Sequence, residues 1–353
     1  MNKIQLILGE LNKNNIDVEV FIVTNMSNIK YITGEEIEGY ILLEKDKTYI
    51  VTDGRYIEVA NNVCKKIDNA NVIDILDKEK IENILSKKCV GIEAGNITVA
   101  RLNNMKEKYN FKKVIDTVNI VEKIRCIKIN EELDKIREAC KITDKAYEYI
   151  KVYIKPGMTE KEVKNELEYY MKKLGAEDVS FSAIVAFGAN SSKPHHVSGD
   201  TKLNKQDIVL IDFGCKVDGY CSDMTRTFFI GGITEKQKEI YNIVLNIQLE
   251  AEKNAVKGVN VKHLDNIVRA DFDKHNLTEK YLHSLGHGVG LDIHEMPSLS
   301  YKSDCNLEKG MVVTIEPGLY FENEFGIRIE DTIIITDGKP EILFNSSKEI
   351  QII

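Results

Sequence analysis

Over roughly the first 120 residues the chain alternates apolar runs (VEVFIVTN, YILLEKDKTYIVT, CVGIEA, KKVIDT) with more polar stretches of helical length, the pattern of a small α/β domain. VEKIRCIKIN then reads as a linker. Beyond it, Asn130 is placed to cap a long run in which Leu133, Ile136, Cys140, Tyr147, Ile150 and Ile154 recur near the helical period. Thr159 and Glu162 form a capping box that announces a second helix ending at Gly175, and Thr234 and Gln237 stand in the same relationship before a third that ends near Gly258. KPGMTEKEV after the first long helix is echoed by KGVNVKHL after the third, and each is followed by a helix and then strands, so a duplicated α/β half is expected. The second part begins at residue 123, giving two domains, 1–122 and 123–353.

Composition narrows the class. With 353 residues, 43% hydrophobic and 29% charged, the chain exceeds the size at which one core usually stops growing, and it carries no low-complexity tract. A formal charge of -8, with acids interleaved among the lysines, works against a nucleic-acid footprint. The start MNKIQLILGELNKNN has too short an apolar run for a signal peptide, and no segment is long enough to span a bilayer, so no membrane partner and a cytoplasmic location are expected. Cysteines 64, 89, 126, 140, 215, 221 and 305 are odd in number, scattered and without a C-x-x-C pair, and read as reduced thiols.

The chemistry gathers in the second half. In QDIVLIDFG one strand face presents Ile208, Leu210 and Asp212, so a carboxylate ends an otherwise buried row and needs a cation or a proton. A turn around Val217, Asp218 and Gly219 leads into CSDMTRTFFI, and folding the hairpin there sets Asp223 roughly opposite Asp212. Such a pair alone is more often a solvated edge than a metal site. The device recurs, however: MVVTIEPGLY and FGIRIEDTIIIT are joined by a turn near Glu322 to Gly326, which sets Glu316 across from Glu330.

Four acids in apolar strands repel one another and imply a compensating charge of several units, which two divalent cations supply. Between the hairpins lies HSLGHGVGLDIHEMP, in which His287 is placed to complete the set as a neutral imidazole. An oxygen-rich, hard site points to manganese or cobalt ahead of zinc, and two such metals about 3.5 to 4 Å apart lower the pKa of a shared water toward about 7.

At these residues the sequence resembles the pita-bread metallopeptidases, in their proline-specific branch of prolidases and aminopeptidases P. The segments that carry the resemblance are IDFGCKVDGYCSDMTRTF, GHGVGLDIHEMP, TIEPGLY, GIRIEDT and SFSAIVAFGANSSKPHH, with NIKYITG and VTDGRY matching the creatinase-type N-terminal domain. It implies an α+β chain in which that small α/β domain precedes a duplicated catalytic domain with a curved, mainly antiparallel sheet. It also implies two divalent metal ions, Asp212 on one, His287 and Glu316 on the other, and Asp223 and Glu330 contacting both. Glu316 would relay a proton. His195 and His294 match histidines that contact the substrate and stabilise an oxyanion, while His196 has a weaker claim. Arg328 would orient carboxylates, meet the substrate or form a structural ion pair. Phe181 and Ile293 look like pocket walls for a proline ring. His263, His275 and His283 read as surface or packing residues, with His283 near enough to support His287.

The activity implied is cleavage of the amide before proline in short peptides, most simply Xaa-Pro dipeptides, with Xaa-Pro aminopeptidase activity on longer peptides as the alternative. Ser298 stands where some proline dipeptidases carry an arginine. Metal-free creatine hydrolysis and peptide binding also occur on this fold, but both are disfavoured by the full ligand set. The family is commonly homodimeric.

Overall fold

The structure, a computed structural model, describes residues 2–353, and the chain divides into two compact units, one ending at Arg125 and the other beginning at Cys126. In the first, a six-stranded sheet runs in the spatial order Ala70–Asp74, Thr48–Thr52, Gly39–Leu43, Val20–Val23, Cys89–Glu93, Lys113–Thr117. The run YILLEKDKTYIVT is a hairpin, pairing Gly39 with Thr52 through to Leu43 with Thr48. Val20, Ile22, Leu42, Val51, Val90 and Ile92 are buried and join one core with Ile81, Leu85 and Met105 from the helices. The strand Ala70–Asp74 is not among the apolar runs that mark the others. It lies at the sheet edge with only Ile73 fully buried, so it presents no apolar run to read.

In the second unit the capping boxes fall where expected: Thr159 starts the helix Glu160–Lys173, and Thr234 starts Glu235–Asn254. The first long helix begins one residue differently. It spans Asn130–Tyr153, and the Glu132 carboxylate accepts from the Ile129 N–H at 3.1 Å, so Ile129 rather than Asn130 occupies the cap.

The duplication is visible in the backbone. Gly157 N–H donates to Leu203 O at 2.8 Å and Leu203 N–H returns to Met158 O at 2.8 Å; Gly258 donates to Leu307 O at 2.7 Å and Leu307 returns to Val259 O at 2.9 Å. The two leucines therefore hold equivalent places before the strands Asp207–Phe213 and Val312–Ile315, so Asp212 and Glu316 are equivalent positions. Every strand ladder in this unit is antiparallel.

Beneath these ladders lies a core of Phe229, Tyr241, Val244, Phe272, Leu285, Val313, Ile327 and Ile333. Burying each such side chain contributes roughly 1.5–3 kcal/mol, and this rigid base holds the site-bearing strands in register. All seven cysteines are unpaired. No helix among the described residues is long and apolar enough to cross a membrane.

Candidate active site

The first carboxylate hairpin departs from the expected register. Thr225, not Asp223, lies directly opposite Asp212. The same register continues through Met224↔Phe213 to Val217↔Tyr220, which sets Asp223 across from Gly214. Asp223 is therefore a diagonal neighbour of Asp212 on the same face. The difference originates in the turn, whose type fixes the count outward from it: Asp218 (φ 47°) and Gly219 (φ 80°) both occupy the left-handed region, forming a two-residue turn.

The second hairpin crosses from one sheet to another. Ile315 pairs with Asp331 in the larger sheet and Gly318 with Arg328 in a separate two-stranded one. Glu316 and Glu330 fall at the break between the ladders and face each other across it, in keeping with the sequence pattern. Regular pairing stops there, so these side chains can turn toward a common point.

His287 sits on the short strand Gly286–Gly288, wedged against backbone on both sides. A Cβ on Gly286 would lie 2.1 Å from Thr314 O, and one on Gly288 would lie 2.2 Å from Met296 O. Only glycine permits that approach. The register with the strand Glu295–Leu299 also slips between His287 and Gly288, an irregularity of the kind that re-aims a side chain.

Asp212, Asp223, His287, Glu316 and Glu330 line a single cavity of about 540 Å³, together with Phe181, His195, Ile293, His294 and Arg328. Ligand atoms of Asp223, His287 and Glu330 all lie within 4.8 Å of one another. The imidazole Nδ1 of His287 meets Gly288 O at 3.1 Å and, facing a carbonyl, must donate. Its Nε2 is then a bare lone pair, yet it lies 3.5 Å from Asp223 Oδ2 and 3.4 Å from Glu316 Oε1. Burial, with His294 adding to it, pushes the His287 pKa down to about 3, so the ring itself is neutral near neutral pH. Oδ1 of Asp212 and Oδ1 of Asp223 are buried without a hydrogen-bond partner.

Electron pairs thus converge on a space where the acids must either take up protons or bind cations. Burial, and then the neighbouring carboxylates, push the pKa of Asp223 and Glu330 well above the usual range, and burial takes Glu316 up to about 8. Two oxygens with no partner, a histidine tautomer locked outward and mutually repelling acids together fit divalent cations.

Hydroxyls that the sequence pattern did not single out hold these ligands. Thr225 Oγ1 donates to Glu330 Oε2 at 2.6 Å and accepts from Arg328 Nε at 2.9 Å. Thr314 Oγ1 accepts from His287 N–H at 3.1 Å and donates to Glu316 Oε1 at 3.3 Å. Alternation around the acidic positions is the signal that marks them, because Thr225 and Thr314 each lie two residues from a ligand on the same strand face.

Arg328 is buried and fully engaged, its Nη2 on Asp212 Oδ2 at 2.6 Å and its Nη1 on the Tyr320 hydroxyl at 2.8 Å. His283 does not touch His287. Its Nδ1–H donates to Ser284 O, so its Nε2 accepts from the Tyr320 hydroxyl at 2.8 Å. His294 packs edge-on against His287 with ring centroids 4.2 Å apart. His196 also lines the cavity but is held by the buried Glu160 at 2.8 Å, whereas His263 and His275 are exposed.

Comparisons with known proteins place the chain in a family. Residues 134–337 match the model of metallopeptidase family M24, and residues 3–127 match the creatinase/prolidase N-terminal domain. The chain is 36% identical over 351 residues to an Xaa-Pro dipeptidase of Pyrococcus furiosus, covering 99% of each. It superposes on a solved Xaa-Pro dipeptidase from Bacillus anthracis with a TM-score of 0.93, at 35% identity and 99% coverage of both chains. An X-Pro aminopeptidase from Thermotoga maritima gives a TM-score of 0.86 at 31% identity, covering 97% of this chain and 99% of that one. A full-length match in both domains, with a convergent acidic site in the second, leaves one conclusion: the chain belongs to metallopeptidase family M24.

Proposed function

We propose that the protein hydrolyses the amide bond before proline in short peptides, using two divalent cations bound by Asp212, Asp223, His287, Glu316 and Glu330. The observation that carries this reading is the convergence of four carboxylates on the His287 Nε2 lone pair in one cavity, Asp223 Oδ2 at 3.5 Å and Glu316 Oε1 at 3.4 Å from it. In it Asp212 would help hold one ion and His287 with Glu316 the other, with Asp223 and Glu330 available to both. Oxygen-rich donors favour manganese, then cobalt, over zinc. When bound, such ions polarise the scissile carbonyl and acidify a water.

The chain's own residues supply the rest. Glu316, which lines the cavity 3.4 Å from His287 Nε2, takes up a proton and passes it to the departing imide nitrogen of proline. His195 and His294 border the cavity and donate to the developing oxyanion. Phe181 and Ile293 offer apolar walls to the pyrrolidine ring. Arg328 fixes the Asp212 carboxylate through Oδ2, while Oδ1 has no protein partner and is open to an ion. A homodimer in the cytoplasm completes the reading, and sedimentation tests the dimer.

Dialysis against a chelator is expected to abolish hydrolysis of Xaa-Pro peptides, and manganese to restore it. Full turnover by protein with no detectable metal refutes the proposal. The dipeptidase reading takes its support from the full-length Xaa-Pro dipeptidase relatives. One observation favours Xaa-Pro aminopeptidase activity as the second reading. Among the described residues lining the cavity Arg328 is the one permanent cation, its three nitrogens are all occupied, and Ser298 stands at the rim. A dipeptide's free carboxylate would thus have to share Arg328 with Thr225, Tyr320 and Asp212. The ratio of kcat/KM for an Xaa-Pro dipeptide to that for the matching Xaa-Pro-Yaa tripeptide decides between them.

A further inference from the structure

Glu160 is the first residue of the helix Glu160–Lys173, and it is completely buried. Its carboxylate is saturated by four donors from one segment. Oε1 accepts from Phe187 N–H at 2.9 Å and Asn190 Nδ2 at 2.9 Å, and Oε2 from Gly199 N–H at 3.0 Å and His196 Nε2 at 2.8 Å. These donors lie at the start, the near side, the end and the crown of the arch formed by residues 187–199. Pro194, His195, His196, Val197 and Ser198 on that arch all border the cavity.

The geometry points to Glu160 as a positioning residue for His195, acting through the arch without touching substrate. This rests on the reading of His195 as a substrate-contacting donor. His195 is exposed, so the backbone on either side must set its place. Its neighbour His196 is anchored to the same carboxylate, and Ser198 adds a second tie by exchanging hydrogen bonds with Val185 N–H and O at 2.8 and 3.0 Å. Hydrogen bonds to an ionised acceptor are the strong kind, and a carboxylate offers the four lone-pair sites this arrangement uses. Glutamine keeps the shape but turns an NH₂ group toward two donors, so the arch must move.

The test is a double-mutant cycle on the full-length, manganese-loaded protein with Ala-Pro as substrate. Glu160→Gln is expected to lower kcat/KM roughly 10- to 100-fold, the scale of an ångström-level misplacement. In a His195→Ala background the same substitution should have an effect below about threefold, because the residue being positioned is gone. His196→Ala, at the part-exposed end of the network, covers the case in which Glu160→Gln fails to fold. It should show a smaller loss with the same dependence on His195, and His196→Gln, whose amide can still donate to Glu160, should recover part of it. Equal losses in both backgrounds would mean that Glu160 only stabilises the loop, which overturns the proposal. If His195→Ala by itself leaves kcat/KM unchanged, the reading of His195 fails and the inference falls with it.

Discussion

Replacing Thr225 with valine probes whether the proposed metal ligands depend on the hydroxyl beside them. The side chain is fully buried and sits opposite Asp212, so valine fills nearly the same space and opens no cavity. What disappears is one oxygen that donates to Glu330 Oε2 at 2.6 Å and accepts from Arg328 Nε at 2.9 Å. Hydrogen bonds to charged groups contribute about 1.5–3 kcal/mol each, and the Arg328 Nε–H is left buried without an acceptor. The loss is therefore about 3 kcal/mol, which for a unit of this size lowers Tm by about 6–12 °C.

Glu330 also loses the partner that aims it, and removing such support typically weakens metal binding by about 10- to 100-fold. Differential scanning calorimetry on chelated protein, with manganese titrations followed by isothermal calorimetry, measures both quantities. A Tm within about 2 °C of the parent, with unchanged metal affinity, would show that Thr225 neither supports Arg328 nor orients Glu330.

Two further outcomes follow from the same geometry. Without metal, the Glu316 carboxyl protonates at about 8 in the folded state against 4.5 as its ordinary value, so the folded state binds the extra proton between those limits. Its stabilisation is fully present below about pH 4.5 and is lost as pH rises through about 8; Asp223 and Glu330 act in the same direction. Urea unfolding of chelated protein should thus show stability falling from pH 5 to 8, and manganese should flatten that slope; a rise over the interval contradicts the assignment. Gly286→Ala would place a Cβ 2.1 Å from Thr314 O and force the His287 strand away from its neighbour. Metal stoichiometry measured by elemental analysis should fall together with kcat, and parental metal content in this variant would refute the tight-approach argument.

Features governed by near neighbours along the chain are legible in the sequence. The pairs Thr159–Glu162 and Thr234–Gln237 cap their helices because the bonds join residues three apart, and Asp218–Gly219 makes its turn through local backbone conformation. Glu316 and Glu330 can be set across from each other because both lie a few residues from one short turn. The edge strand Ala70–Asp74 is not legible, since its pairing with Thr48–Thr52 is set by the sheet and not by its own apolar content. The expected partner of Asp223 is two positions out for a related reason: register accumulates from the turn outward, and a small error in the turn moves every later partner.

By itself, then, the sequence determined the helix caps, the two-part organisation and a set of acids and histidines that the fold gathers in one cavity, because short-range periodicity and local pattern record them directly. Tertiary structure alone decided that Thr225 would bridge Glu330 and Arg328, that His283 would serve Tyr320, and that His196 would bond to Glu160. Each of these is a contact between side chains far apart in the chain. It exists only once packed strands fix their separation to within a few tenths of an ångström, a distance that no spacing along the sequence encodes.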